Sequence, residues 1–146
     1  MRVLFASDHA GLELKNLLVQ RARERGFEVE DLGVHASGSA DYPDFAHAVA
    51  ARVTASDAAR GVLVCGTGIG MAMAANRHPG VRAALCHDAF TAEMARRHND
   101  ANVLCLGGRV TGPGVALQIL DLFLSTPFDG GRHEPRVAKI EKWSSP

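Results

Sequence analysis

The chain has no surplus of charge, no long apolar run and few cysteines, and each shortage removes a class of function. Lysine plus arginine and aspartate plus glutamate both number 16 in 146 residues. With no global field, nucleic acid and acidic membrane surfaces are not expected partners, and any anion site must be local. The apolar runs are far too short to span a bilayer, and the opening MRVLFASDHAG reaches charged residues before a signal-peptide core could form. A cytoplasmic protein is expected. Cys65, Cys86 and Cys105 form no CxxC pair and no zinc spacing, so reduced thiols are the default.

Several signatures are also missing. A Rossmann dinucleotide fingerprint needs GxGxxG after the first strand, where this chain reads SDHAG, and the later GTGIG lacks the full spacing. There is no GKT or GKS for a P-loop. A phosphatase loop built on a cysteine nucleophile needs an arginine six positions on, and Met71 stands there. No HExxH or paired-carboxylate pattern appears. His87 and His98 on one helix would be about 16 Å apart, too far to share an ion. No metal is expected.

What is present is a 47% apolar composition, enough for one domain over 1–146 with its own core, and a stretch around which it is organised, GVLVCGTGIGMAMAAN at Gly61 to Asn76. Val62, Leu63 and Val64 suit a strand covered on both faces. Gly66, Gly68 and Gly70 allow a tight turn that presents its N–H groups at the start of a helix. Strands are predicted at Val3–Ala6, Phe27–Leu32, Gly61–Cys65, Val81–Cys86 and Val103–Leu106. Helices are predicted from about Gly11 to Arg25, around Phe45, Val49 and Val53, after the glycine turn, from Asp88 to about His98, over Gly112–Ser125 and over Arg136–Trp143. The Gly112–Ser125 segment is apolar nearly all round, which implies burial against both the sheet and a second subunit. Such alternation predicts an α/β single-domain three-layer sandwich, a five-stranded parallel Rossmann-like sheet with helices on both faces. Ser7-Asp8-His9, Cys65 to Gly70, His87-Asp88 and Gly107-Gly108-Arg109 all fall at the carboxyl ends of strands, where ligands sit in such sheets.

Individual residues leave alternatives open. Cys65 is either a small core residue or a thiol beside N–H donors that favour a thiolate. Asp8 either caps the following helix or faces a ligand. Arg132 and Arg136, four apart across Pro135, form either a solvated basic end or a two-armed grip on one anion. His98, on a face with Phe90 and Met94, is a packed or interface histidine, or a ligand contact. His35, His47 and His78 have no visible partner and are read as surface residues.

The combination SDHAG, Asp41-Tyr42-Pro43, CGTGIG, Ala74-Ala75-Asn76, HNDANV from His98 and GGRH from Gly130 resembles the ribose 5-phosphate isomerase B family, in order over nearly the whole chain. That family also includes galactose 6-phosphate and allose 6-phosphate isomerases and works without metal or organic cofactor. The resemblance implies an aldose-ketose isomerase acting on a sugar phosphate, ribose 5-phosphate and ribulose 5-phosphate first, through ring opening and an enediolate. Cys65 would take the C2 proton, Thr67 would support proton movement between oxygens, and His98 would open the ring. The amides of Gly66, Gly68, Ile69 and Gly70 would hold the enediolate. Asp8, His9 and Tyr42 would contact the sugar and its phosphate, Arg132 and Arg136 would grip the phosphate, and Asn99 and Arg109 would complete the pocket. It also implies a homodimer or dimer of dimers, with His98, Asn99 and Arg109 supplied by the neighbour of the chain that supplies Cys65. Some relatives place a glutamate base at the position of Met71, so this chain falls with the cysteine branch. The rivals are a six-carbon specificity and a sugar-phosphate-binding protein that does not turn over.

Overall fold

The computed structural model describes residues 1–55 and 59–142. Strands β1 (Arg2–Ser7), β2 (Glu28–Asp31), β3 (Ala59–Cys65), β4 (Ala83–Leu85) and β5 (Val103–Gly107) form one sheet in the order β2-β1-β3-β5-β4, every pairing parallel. Helices α1 (Leu12–Glu24), α2 (Tyr42–Thr54), α3 (Ile69–Ala75), α4 (Ala89–Arg97), α5 (Pro113–Ser125) and α6 (Glu134–Glu141) make the crossovers and the carboxyl-terminal segment. Alternation along the central strands divides the core. Val3, Phe5, Val62, Val64, Leu104 and Leu106 pack with α1, α4 and α5. Leu4, Ala6, Leu63, Cys65, Val103 and Cys105 pack with α2 and α3. The three-layer sandwich expected from the sequence is the fold observed.

The differences lie at the edges. The outer strands are shorter than their apolar patterns suggest, β2 covering Glu28–Asp31 and β4 only Ala83–Leu85. In place of a helix starting at Arg136, a 3-10 turn over Gly131–His133 leads into α6 at Glu134, with Pro135 in its first turn. Trp143, the expected end of that helix, lies outside the described residues. Helix α5 is not buried all round within one chain. Ala116, Ile119, Leu120, Phe123 and Leu124 are buried, but Val115 is 43% exposed. Helix α4 likewise buries Ala92, Ala95 and Arg96 and turns Phe90 outward at 69% exposure.

Three ion pairs, sharing two carboxylates, brace the frame. Lys15, fully buried, reaches Asp31 at 2.7 and 2.8 Å and the carbonyl of Val34 at 2.8 Å. A lone buried ammonium is costly, so this pairing ties α1 to the end of β2 and to the loop beyond. Asp121 of α5 accepts from Arg21 at 2.6 Å and pairs with Arg25 of α1 at 2.8 Å. The hydrogen bonds from Arg21, then from Arg25, hold the Asp121 carboxyl below its ordinary range.

A carboxylate with a depressed folded pKa adds stability above the unfolded pKa, near 3.9, and loses it as pH falls through the folded value. Asp121→Asn is therefore expected to lower the unfolding free energy from urea titration at neutral pH by about 1 kcal/mol or less. The gap from the parent should narrow as pH falls below the unfolded value and toward the depressed folded one. A gap that stays equal as pH falls would show that the pair contributes through packing alone.

Candidate active site

At the carboxyl edge the neighbouring strands β3 and β5 end in register, Cys65 opposite Gly107. The pairing continues past the sheet. The Gly108 N–H donates to the Cys65 carbonyl at 2.8 Å, and the Arg109 N–H to the Gly66 carbonyl at 3.0 Å. The glycine turn is thus clamped against the loop after β5. Gly68 adopts φ +80° at the start of α3, and its N–H donates to Cys65 Sγ at 3.1 Å. A Cβ there would sit 2.5 Å from Leu85 and 2.9 Å from the Leu106 backbone, so only glycine fits.

Asp8, Tyr42, Cys65, Gly66, Thr67, Ile69, Gly70, Met73 and Arg109 line one open cavity of about 430 Å³. Asp8 is buried, and its Oδ1 accepts from the Gly11 N–H at 3.0 Å, so it tethers the start of α1 and also faces the cavity. The Tyr42 ring lies over Gly70, where a Cβ would come within 2.5 Å of it. His9 is exposed beside this cavity rather than in its lining. Its Nδ1 accepts from the Ala40 N–H at 3.3 Å, fastening the loop between β2 and α2. Burial pushes the Cys86 thiol up to about 11 and drives Cys105 far above its ordinary value, whereas Cys65 opens to the cavity.

The remaining candidates lie elsewhere. Strand β5 begins at Val103, opposite Gly61, so His98 and Asn99, just before it, sit at the amino edge. They are separated from Cys65 by at least the strand length, about 13 Å. There the His98 ring stacks on His133, centroids 4.3 Å apart and planes within 10°. Arg132 Nε donates to His133 Nε2 at 3.5 Å. Burial, then the His98 ring and the Arg132 and Arg136 guanidiniums, hold the His133 imidazole below its ordinary value. Ligand atoms of His98, Asp129 and His133 come within 4.8 Å of one another, a spacing a divalent ion could bridge. The flanking guanidiniums instead make this corner favourable to an anion. His133, not among the expected site residues, is the addition made by the structure; its place beside Arg132 in GGRH was the available signal.

Arg109 requires a correction. Expected to join His98 and Asn99 on a neighbouring chain, it lines the Cys65 cavity of its own chain, because the turn after β5 folds back onto Gly66. Asn99 instead borders a small apolar hollow with Ala83, Ala84 and Ile140. His47 and His78, read as unpartnered, lie 2.7 Å apart at their ring nitrogens. A larger cleft, about 480 Å³, holds Arg60, Arg82 and Arg96. Arg82 and Arg96 are already taken up by Asp100, Glu141 and backbone carbonyls, and Arg60 donates to the Phe123 carbonyl, so its geometry offers less to a ligand. By contrast Arg109, Arg132 and Arg136 have no carboxylate partner among the described residues.

The ribose/galactose isomerase family model matches residues 3–140. The chain belongs to the ribose/galactose isomerase family. Among the relatives of this isomerase, ribose-5-phosphate isomerase B of Escherichia coli is 42% identical over 139 residues, covering 95% of this chain and 93% of its own. The solved ribose 5-phosphate isomerase of Thermotoga maritima is 50% identical, covers 97% of each chain and superposes with a TM-score of 0.93. That of Mycoplasma genitalium, solved with bound ribulose-5-phosphate, is 44% identical, covers 97% of this chain and 95% of its own, and gives a TM-score of 0.94.

The glycine turn separates two kinds of substitution. Gly68→Ala meets backbone and a positive φ, and is expected to cost about 1–3 kcal/mol of stability. Gly70→Ala meets only the movable end of Tyr42, and should leave stability nearly unchanged while lowering kcat/KM about tenfold by displacing the ring. Thermal unfolding and steady-state kinetics on both variants check this; equal destabilisation would remove the distinction.

Proposed function

We propose that the protein is an aldose-ketose isomerase that interconverts ribose 5-phosphate and ribulose 5-phosphate at a site completed by a second copy of the chain. The observation that carries this reading is the Cys65 thiol, held 3.1 Å from the Gly68 N–H at the edge of an open cavity. The bound ribulose-5-phosphate of the Mycoplasma genitalium relative supports it.

In the open-chain aldose, Cys65 takes the proton from C2, and the electron pair of that C–H bond moves to form the enediolate. Returning a proton to C1 yields the ketose. Thr67, exposed at the rim, is placed to pass a proton between O1 and O2, and N–H groups of the glycine turn stabilise the developing oxyanion. Arg109 adds positive charge at the same cavity. Asp8 and Tyr42 border the sugar, and His9 beside them reaches toward the phosphate end.

His98, Asn99, Arg132 and Arg136 cannot serve the same sugar from the opposite edge of their own chain. Brought to the cavity by a second copy, the His98 imidazole opens the furanose ring by proton transfer while Arg132 and Arg136 grip the phosphate. The outward apolar side chains Met73, Phe90 and Ile140 give such a copy a surface to cover. The family's scope leaves a six-carbon sugar phosphate as the second reading.

Cys65→Ala is expected to lower kcat for ribose 5-phosphate by at least about a hundredfold with unfolding unchanged; near-normal turnover would dismiss Cys65 as the base. Across a panel of five- and six-carbon phosphates, the highest kcat/KM should belong to the pentose, and a higher value for a hexose phosphate would move the assignment. If sites are shared, Cys65→Ala and His98→Asn chains, each crippled alone, should recover about a quarter of parent activity after equimolar dissociation and remixing, because half the dimers are mixed and each mixed dimer has one intact site. A fully active monomer, or no recovery in verified mixed dimers, would defeat the shared site.

A further inference from the structure

His47 and His78 lie outside every residue used above. His47 is exposed on α2, on the flank of the face that buries Ala46, Val49 and Ala50. His78 sits in the turn between α3 and β4. Its backbone is fixed there by an N–H donated to the Ala75 carbonyl and a carbonyl that accepts from the Val81 N–H, both at 3.1 Å. Nδ1 of His47 faces Nε2 of His78 at 2.7 Å, with ring centroids 5.0 Å apart and planes tilted by 51°.

The geometry points to a two-imidazole chelate here for a divalent transition ion that prefers right-angled coordination, of the nickel(II) and copper(II) type. Metal–nitrogen bonds of about 2.0 Å meeting at a right angle hold two nitrogens about 2.8 Å apart, whereas tetrahedral zinc needs about 3.3 Å. The 2.7 Å spacing is set by the hydrogen bond between the rings, and it leaves the two nitrogens nearer the right-angled span than the tetrahedral one, so the first arrangement needs the smaller adjustment. The bond between the rings requires one facing nitrogen to carry a proton. Binding shifts that ring to its other tautomer, so both lone pairs face the ion and no net proton is lost. The exposed His47 ring is free to turn inward for this. Asp44, three residues earlier, shares that face of α2 and contributes negative charge; Arg77, next to His78, opposes it. Water completes the remaining positions.

The chelate would clip α2 to the end of α3, the helices that carry Tyr42 and Gly70 at the walls of the cavity. It depends on no step of the proposed isomerisation.

The test uses the full, untagged chain, stripped with a chelator and titrated in mildly alkaline buffer with nickel(II), with zinc(II) and magnesium(II) for comparison. Calorimetry and thermal unfolding give the readout. Nickel(II) should bind saturably and raise the unfolding temperature, as any ligand selective for the folded state must, and zinc(II) should bind this site more weakly. His47→Gln and His78→Gln should each weaken that binding at least tenfold, and the double variant should be no weaker than either single one, since a chelate needs both rings. His98→Gln, which removes the other histidine cluster, should leave it in place. Parent-like nickel(II) binding in either single variant, losses that add in the double variant, no binding by the parent chain, or tighter zinc(II) binding at this site would each overturn the assignment.

Discussion

The candidate site depends on two parallel strands ending at the same level. Cys65 and Gly107 are the last paired residues of β3 and β5, and the hydrogen bonding runs on past them through Gly108 and Arg109. A backbone clamped on both sides cannot relax when a ligand arrives, so the Gly68 N–H and the Cys65 sulfur keep their separation without reorganising. That N–H is directed at the sulfur, so its fixed place positions Cys65, and the same rigid backbone holds the rest of the turn without rearrangement, the condition under which aimed donors stabilise developing charge best. The central strands are buried on both faces, which makes this registry among the least mobile parts of the molecule.

Where the chemistry depends on short-range pattern, it was legible in the sequence. Val62 to Val64 followed by alternating glycines announces a buried strand and a tight turn, and the strand-helix alternation leaves little choice of architecture. The short outer strands were harder, because Phe27 and Val81 are apolar but lie where the sheet has already run out of partners. The His98–His133 stack joins residues distant in sequence through the meeting of α4 with the 3-10 turn. No periodicity encodes that contact. Arg109 was assigned to the wrong chain because the return of the loop after β5 onto Gly66 is a matter of turn geometry, invisible in composition. The His47–His78 contact failed to show for the same reason.

The loop that carries the approach to Tyr42 is held from below. Lys15, Asp31 and the Val34 carbonyl form a closed charged cluster, and Ser7 exchanges backbone hydrogen bonds with Gly33 and Val34. His9 fastens the same loop at Ala40. A segment with few apolar side chains of its own is therefore positioned by polar contacts to the first strand and helix, whose burial supplies the rigidity.

The sheet's borders have a consequence for how copies of this chain can meet. On one side β2 presents Glu28, Glu30 and Asp31. On the other, β4 is three residues long, and the Asn76 side chain takes both the N–H of Ala83, at 2.8 Å, and its carbonyl, at 2.9 Å. The backbone of β4 is thus already engaged at Ala83, and the acidic side chains of β2 guard a border only four residues long. Strand-by-strand growth into fibres is discouraged from either side, so association is left to helix faces and loops, where a closed assembly can stop at a defined number of chains.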